Sequence, residues 1–425
     1  MITIYSPYVS NRLVYVLNFI FSELLDIKYR LSDNSENLDG TVINYSNKDL
    51  KIKCYQITPN NLIKGTDFEE PIVVSSSDSF FIYPNVNDDH GFDIFSAVFY
   101  LISRMEEYNL KKVDQHSRFI SSHSILVKYK VNHLPIVDIW AYDLINKLNQ
   151  IFNSRLSSKK SFYQYCTFDI DNAYAFKHKG PIRTIASFGK DVVNFRKNKL
   201  VQRSKLLSGK ANDPYDTYDY ILGFCKEHKI NNLFFFLLGD YGKNDKNISF
   251  DKPALNNLIN HLFLDSNLGI HPSYNSFLQP NQIKKEVLRL KKIVGSSFDK
   301  SRFHFLRFQY PDSYQNLISN EIYNDYSMGY SDLSGFRAGT CTPFYFYDLK
   351  KELQTNLKIH PFVYMDGALN DRENISIEDA ILKIKNLKNQ VQKVNGQFTA
   401  IWHNESLSDL DRWKGWRRVF ESTWI

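Results

Sequence analysis

The sequence predicts an α/β protein, a (β/α) barrel over residues 161–425 preceded by a smaller α/β (α+β) domain over residues 1–155. Three observations carry this. Short apolar runs end abruptly at residues capable of chemistry, amphipathic helical stretches separate those runs, and a polar segment, 153–160, divides the chain. Strands alternating with helices imply a parallel sheet. Functional groups at the carboxyl ends of several strands, rather than of one, favour a barrel.

In the leading part, Pro71–Val74 and Phe80–Tyr83 read as strands. Two helices are expected over Phe92–Tyr108 and Val137–Phe152. Phe95, Phe99, Ile102 and Met105 form one apolar stripe, and Trp140, Leu144 and Leu148 another. Asn153-Ser-Arg-Leu-Ser-Ser-Lys-Lys160 is polar and suits a linker. Beyond it, runs from Phe162, Leu233, Leu268, Leu357 and Phe398 stop at Asp169-Ile-Asp171, Gly239-Asp240, His271, His360 and His403-Asn404-Glu405. Between them, Ile283, Val287, Leu290 and Val294 share a helical face. Ser376-Ile-Glu-Asp379 caps a helix whose face runs from Ile377 to Val394, and Gly396 stands at its far end.

Composition limits the classes open to this chain of 425 residues. With 43% apolar, 15% aromatic and 23% charged residues it is neither disordered nor fibrous. No apolar run approaches the ~18 residues of a membrane span. Four scattered cysteines form no CxxC or disulfide framework, so a cytoplasmic location is expected. The net charge is +7, yet the segment Lys177–Lys210 holds ten cations against Asp191 alone, or +9, which leaves about −2 elsewhere. Such a segment suits a phosphate, nucleotide or lipid headgroup, or is a solvated helix face; it lacks the interleaved aromatics of a nucleic-acid binder.

Two carboxylates at the end of an apolar run are costly to bury without a cation, so Asp169 and Asp171 point to a metal. An Asp-x-Asp pair also serves metal-dependent glycosyltransferases, and that reading stays open. His271 at a strand end and Asn275 four residues later could face one ion if the intervening turn is helical. Arg337, between Gly335 and Gly339, is placed for a bidentate bond to a carboxylate. His403, beside Trp402, suits a general acid.

In this order the residues Thr167-Phe-Asp169-x-Asp171, His271-x-x-x-Asn275, Phe336-Arg337 and Ile401-Trp-His403 resemble the motif series of the polysaccharide deacetylases, the NodB-homology enzymes of carbohydrate esterase family 4. The leading part resembles the uncharacterised domain that precedes this module in Bacteroidetes-type members. The resemblance implies a distorted (β/α)7 barrel and a hydrolase acting on carbon–nitrogen bonds of N-acetylated sugars. It casts Asp169 as general base, Arg337 as the group orienting it, and His403 as general acid, with Asp171 and His271 as metal ligands.

There are two departures. Ile170 separates the aspartates, so their roles could be exchanged. The expected cofactor is a divalent metal ion, zinc first, with manganese, cobalt, nickel or magnesium as alternatives. Asn275 stands where the family has a second His, and its amide oxygen weakens zinc binding and favours oxygen-preferring ions. His304 and His360, read first as structural histidines, are alternatives for that position, and a silent carbohydrate-binding homologue is a third outcome. The expected substrate is an N-acetylated sugar or glycan, nucleotide- or lipid-linked, in surface-glycan metabolism. Tyr174, Tyr274, Tyr345 and Trp402 are candidates for stacking on it.

Overall fold

The computed structural model describes all residues except 66–69, 77–78, 109, 111, 196 and 208–210. Two larger sheets organise the chain. In the first, β1 (Ile2–Tyr5), β2 (Tyr29–Ser32), β3 (Thr41–Asn44) and β4 (Tyr55–Gln56) run parallel in the order β2-β1-β3-β4. Every residue of β1 and β3 is buried, as expected of central parallel strands covered on both faces. A small antiparallel hairpin follows, β5 (Val73–Ser75) with β6 (Phe80–Ile82), where the sequence predicts strands.

The predicted helix 92–108 is broken. It runs Ile94–Ile102, N-capped by Asp93, and resumes at Met105–Tyr108. Arg104 sits between the pieces at φ 56°, fully buried, with its guanidinium on Glu106 and Glu107. The ion pairs prevail over the apolar stripe that predicts one continuous helix. The helix Ile136–Phe152 matches its expectation and ends at Asn153 in the left-handed conformation.

The second sheet has nine strands and is curled: β7 (Tyr163–Ile170), β8 (Asn231–Phe236), β9 (Asn267–Ile270), β10 (Lys300–Ser301), β11 (Asn324–Asp325), β12 (Phe344–Asp348), β13 (Leu353–Ile359), β14 (Tyr364–Met365) and β15 (Gln397–His403). Their order is β12-β13-β11-β10-β9-β8-β7-β15-β14. All neighbours are parallel except β12 with β13. The edge strands are β12 and β14, so the described ladders form a half-barrel. Amphipathic helices cover the outside, among them Pro280–Val294 and Ile377–Lys393, the latter capped by Ser376 accepting from the Asp379 N–H. Gly269 lets β9 lie against its neighbours: a Cβ there would come within 2.6 Å of the Phe235 ring and 2.8 Å of the Lys300 carbonyl.

The leading part covers the β12 edge. The helix Asn11–Leu17 and the π-helical turns Asn18–Leu24 pack on it through Phe19 against Phe344 and Tyr15 against Tyr347. Tyr15 also donates to the Tyr345 carbonyl at 2.6 Å. One apolar core runs through both sheets. Like Tyr15, Tyr108 donates to a carbonyl of β12, that of Tyr347 at 3.1 Å, so side chains of the leading part occupy backbone acceptors of this edge strand. No helix among the described residues is long and apolar enough to cross a membrane.

Candidate metal centre and its cleft

The carboxyl ends of β7, β9, β10, β14 and β15 converge on one cleft of about 200 Å³. Strand periodicity explains the Asp-x-Asp spacing. Asp169 and Asp171 point to the same side, while Ile170 turns into the core with no exposure. Parallel pairing sets His403 opposite Asp169.

Asp171, His271 and His304 form a three-donor group, one atom from each lying within 4.8 Å of the others. His271 Nε2 is 3.1 Å from Asp171 Oδ1, and His304 Nε2 is 3.4 Å from Asp171 Oδ2. The outer nitrogens are fixed: His271 Nδ1 donates to the Arg302 carbonyl, and His304 Nδ1 donates to Asp245 Oδ1 at 2.8 Å. Each Nε2 is thereby left to face the carboxylate, as in histidine ligands oriented by a backbone carbonyl or carboxylate. Asp171 Oδ1 is buried and accepts no hydrogen bond. An orphaned carboxylate oxygen between two oriented imidazoles fits a divalent cation. Two nitrogens and one oxygen are also a donor set that leaves a coordination position open. Burial opposes the charge on Asp171, yet His304, His271 and His403 hold it well below the usual carboxylate range. Burial likewise opposes protonation of His304, but Asp171 and Asp245 push it up to about 9.

Asp169 is gripped by Arg302, whose Nη1 donates to Oδ1 at 2.8 Å. Arg302 is fully buried, lies 4.5 Å from the Phe235 ring centroid, and donates from Nε to the Tyr326 carbonyl. Opposite, His403 Nδ1 donates to Asp366 Oδ1 at 2.8 Å and its backbone N–H to Asp366 Oδ2. Its Nε2 lies 3.7 Å from Asp171 Oδ2. Burial would lower the imidazole pKa, but Asp366, then Asp171 and Asp169, raise it well above its ordinary value.

The structure thus gathers Asp169, Asp171, His271 and His403, and does not bring Asn275 or Arg337 to them. Asn275 is exposed, and its backbone N–H points to Asp245. Pro272 disfavours helical geometry at the preceding residue, and Ser273 stays extended, so the helical turn begins only at Tyr274 and does not return Asn275 to His271. His304 takes that place. His360 is elsewhere, against Asn324 and stacked on Tyr326. Arg337 does make a bidentate bond, but to Glu107, between the rings of Phe119 and Phe308. Gly335, at φ 131°, lies where a Cβ would strike the Asn132 carbonyl, which ties this loop to the leading part instead of the cleft.

Arg302, Asp366 and Asp245 were not legible as site residues. β10 and β14 are two residues long and give little periodic signal. The run Phe362–Met365 ending at Asp366 did repeat the strand-end pattern. None of the four stacking candidates lines the cleft: Trp402 is core and donates to Tyr364, whereas Phe305 and Trp413 are in the wall. Of the basic segment, Arg196 and Lys210 lie outside the described residues; Arg203 packs on Phe176.

No curated protein matches the chain. The model of a family of unknown function, DUF7033, matches residues 2–153. Among solved structures, a Mycobacterium smegmatis protein described as a polysaccharide deacetylase is 13% identical over 64% of this chain and 87% of its own, with a TM-score of 0.40. A polysaccharide deacetylase from Bacillus cereus is 12% identical over 62% of this chain and 85% of its own, with a TM-score of 0.30.

Proposed function

We propose that this chain is a metal-dependent hydrolase that removes N-acetyl groups from an amino sugar or glycan. The observation that carries the reading is the Asp171–His271–His304 group flanked by an Asp169–Arg302 pair on one side and an Asp366–His403 pair on the other. Asp171, His271 and His304 would hold a divalent ion, zinc before manganese, cobalt, nickel or magnesium, because two imidazoles and a carboxylate suit it. When bound, such an ion supplies a lowered pKa to water and positive charge for a developing oxyanion.

Asp169, oriented by Arg302, accepts the proton of the water that attacks the acetamide carbonyl. His403, kept protonated and aimed by Asp366, gives a proton to the departing amine nitrogen, which is a poor leaving group without it. Phe305 and Trp413 offer apolar faces to a sugar ring. The sugar assignment itself rests on the motif resemblance. A nucleotide- or lipid-linked acceptor in surface-glycan assembly follows if the enzyme is cytosolic. With His304 rather than Asn275 beside Asp171 and His271, the group supports a metal-holding enzyme over a silent carbohydrate-binding homologue.

The test is acetate release from N-acetylated sugars and glycans by the full chain, with and without chelator, comparing wild type with Asp169→Asn. Release that chelation abolishes, and that Asp169→Asn lowers at least ~100-fold, is expected. Sugar-nucleotide cleavage without acetate, or no bound metal and no acetate from any substrate, would overturn the reading.

A further inference from the structure

The leading sheet holds a cavity that the deacetylase reading leaves unused. The chain enters at β1, steps out to β2 on one side, and crosses back to β3 and β4 on the other. The connections therefore diverge between β1 and β3. At such a reversal the carboxyl ends of neighbouring parallel strands leave a crevice where ligands bind. A cavity of about 370 Å³ opens at this place, within the ~300–1,000 Å³ of small-molecule sites.

Its walls are the segments that end or follow three strands: Tyr5–Tyr8 from β1, Tyr45–Lys48 from β3, and Pro59 with Ile63–Lys64 beyond β4. These loops are tied to each other. Ser6 Oγ donates to the Tyr8 carbonyl at 2.8 Å, the Tyr8 hydroxyl to the Lys64 carbonyl at 3.3 Å, and Ser10 Oγ to the Ile63 carbonyl at 2.5 Å. Pro7 and Pro59 fix their own φ angles. The site is therefore formed before any ligand arrives.

Its chemistry has two parts. Tyr5, Tyr8 and Ile63 give an aromatic and apolar lining, with Tyr8 about half exposed. Lys48 and Lys64 bring two cations, and no acid is among the described lining residues. The Lys48 ammonium is held by neutral partners, Ser35 Oγ at 2.7 Å and the Tyr5 ring at 5.9 Å. An apolar, aromatic wall with two lysines in the lining is complementary to a ring that carries a phosphate.

We propose that this cavity binds a small phosphorylated ring compound, its ring against Tyr5 and Tyr8 and its phosphate facing Lys48 and Lys64. This site is separate from the metal centre and does not depend on the hydrolase reading.

Calorimetry on the full chain tests it with four probes: uridine monophosphate, glucosamine 6-phosphate, uridine and inorganic phosphate. The expected result is that one of the two phosphorylated rings binds, which also tells a nucleotide from a sugar phosphate, and that uridine and inorganic phosphate bind about tenfold or more weakly. Lys48→Glu and Lys64→Glu should each weaken binding by a similar factor, and Tyr8→Ala should weaken it while leaving the melting temperature in place. Asp171→Asn should leave it unchanged. No binding of either phosphorylated ring at millimolar concentration would overturn the proposal. So would affinity indifferent to both lysine reversals, or affinity lost in Asp171→Asn, which would assign the ligand to the metal cleft.

Discussion

Arg302 has no exposed surface, and its guanidinium faces a carboxylate that is itself almost fully buried. Removing one member of such a pair strands the other's charge away from water, at a cost of ~3–5 kcal/mol. Arg302→Met should therefore lower stability by about that amount in denaturant unfolding and abolish acetate release. Arg302→Met combined with Asp169→Asn should recover much of the stability but none of the activity. The proposed metal donors make a second residue-scale contrast. His304→Ala should lose stoichiometric zinc on metal analysis, whereas Asn275→Ala should keep the wild-type content, since Asn275 is turned to solvent.

The Asp366–His403 pair predicts a pH effect whose sign can be worked out. After burial, which opposes it, Asp366 is the main cause of the raised His403 pKa. In the proposed role of general acid His403 must be protonated, so the proposed activity should fall as pH rises through that value. In Asp366→Asn the descending alkaline limb of the pH–rate profile should move to lower pH. The pair's contribution to stability has the same sense. It is fully present below the ordinary imidazole pKa of ~6.5 and is lost as pH rises through the folded value.

Among the elements, long periodic ones and the short hairpin strands β5 and β6 could be read from the sequence, whereas the two-residue strands β10 and β14 could not. The helix Ile136–Phe152 and the runs of β7, β8 and β15 have enough residues for their periodicity to identify them. β10 and β14 have two residues each, held by neighbours on the ladder, and the site residues they deliver were missed with them. Asn275 and Arg337 failed for a related reason. Their spacing matched a motif, but the turn at Pro272 and the docking of Gly335 on Asn132 are tertiary facts. The break in the helix 94–108 belongs here too, because it exists to seat Arg104 beside Glu107, which also holds Arg337. Arg337 and Arg104 hold the Glu107 carboxyl below its usual range against the opposing effect of burial. Its stabilising contribution is thus present above the ordinary carboxyl pKa and is lost as pH falls through the folded value. Glu107→Gln should cost ~3–5 kcal/mol at neutral pH, read as a lowered denaturation midpoint, and the deficit should shrink in acid.

For the whole molecule, the leading and trailing parts share a core, and the seam is lined by Phe19, Tyr15 and the covered edge of β12. Phe19→Ala should destabilise the chain by ~3–5 kcal/mol in a single unfolding transition that both parts share. A form starting after Phe152 should expose the β12 edge and associate, visible as a concentration-dependent size in light scattering.

The cleft also has a wall built from the leading part. Arg118 lines it, anchored by Asp114 and by donation to the Phe305 carbonyl. The mouth through which any molecule must pass is thus jointly authored, with the reacting groups drawn from one stretch of chain and part of the doorframe from another. Evolution could then retune which molecules gain admission by editing a segment that performs no chemistry.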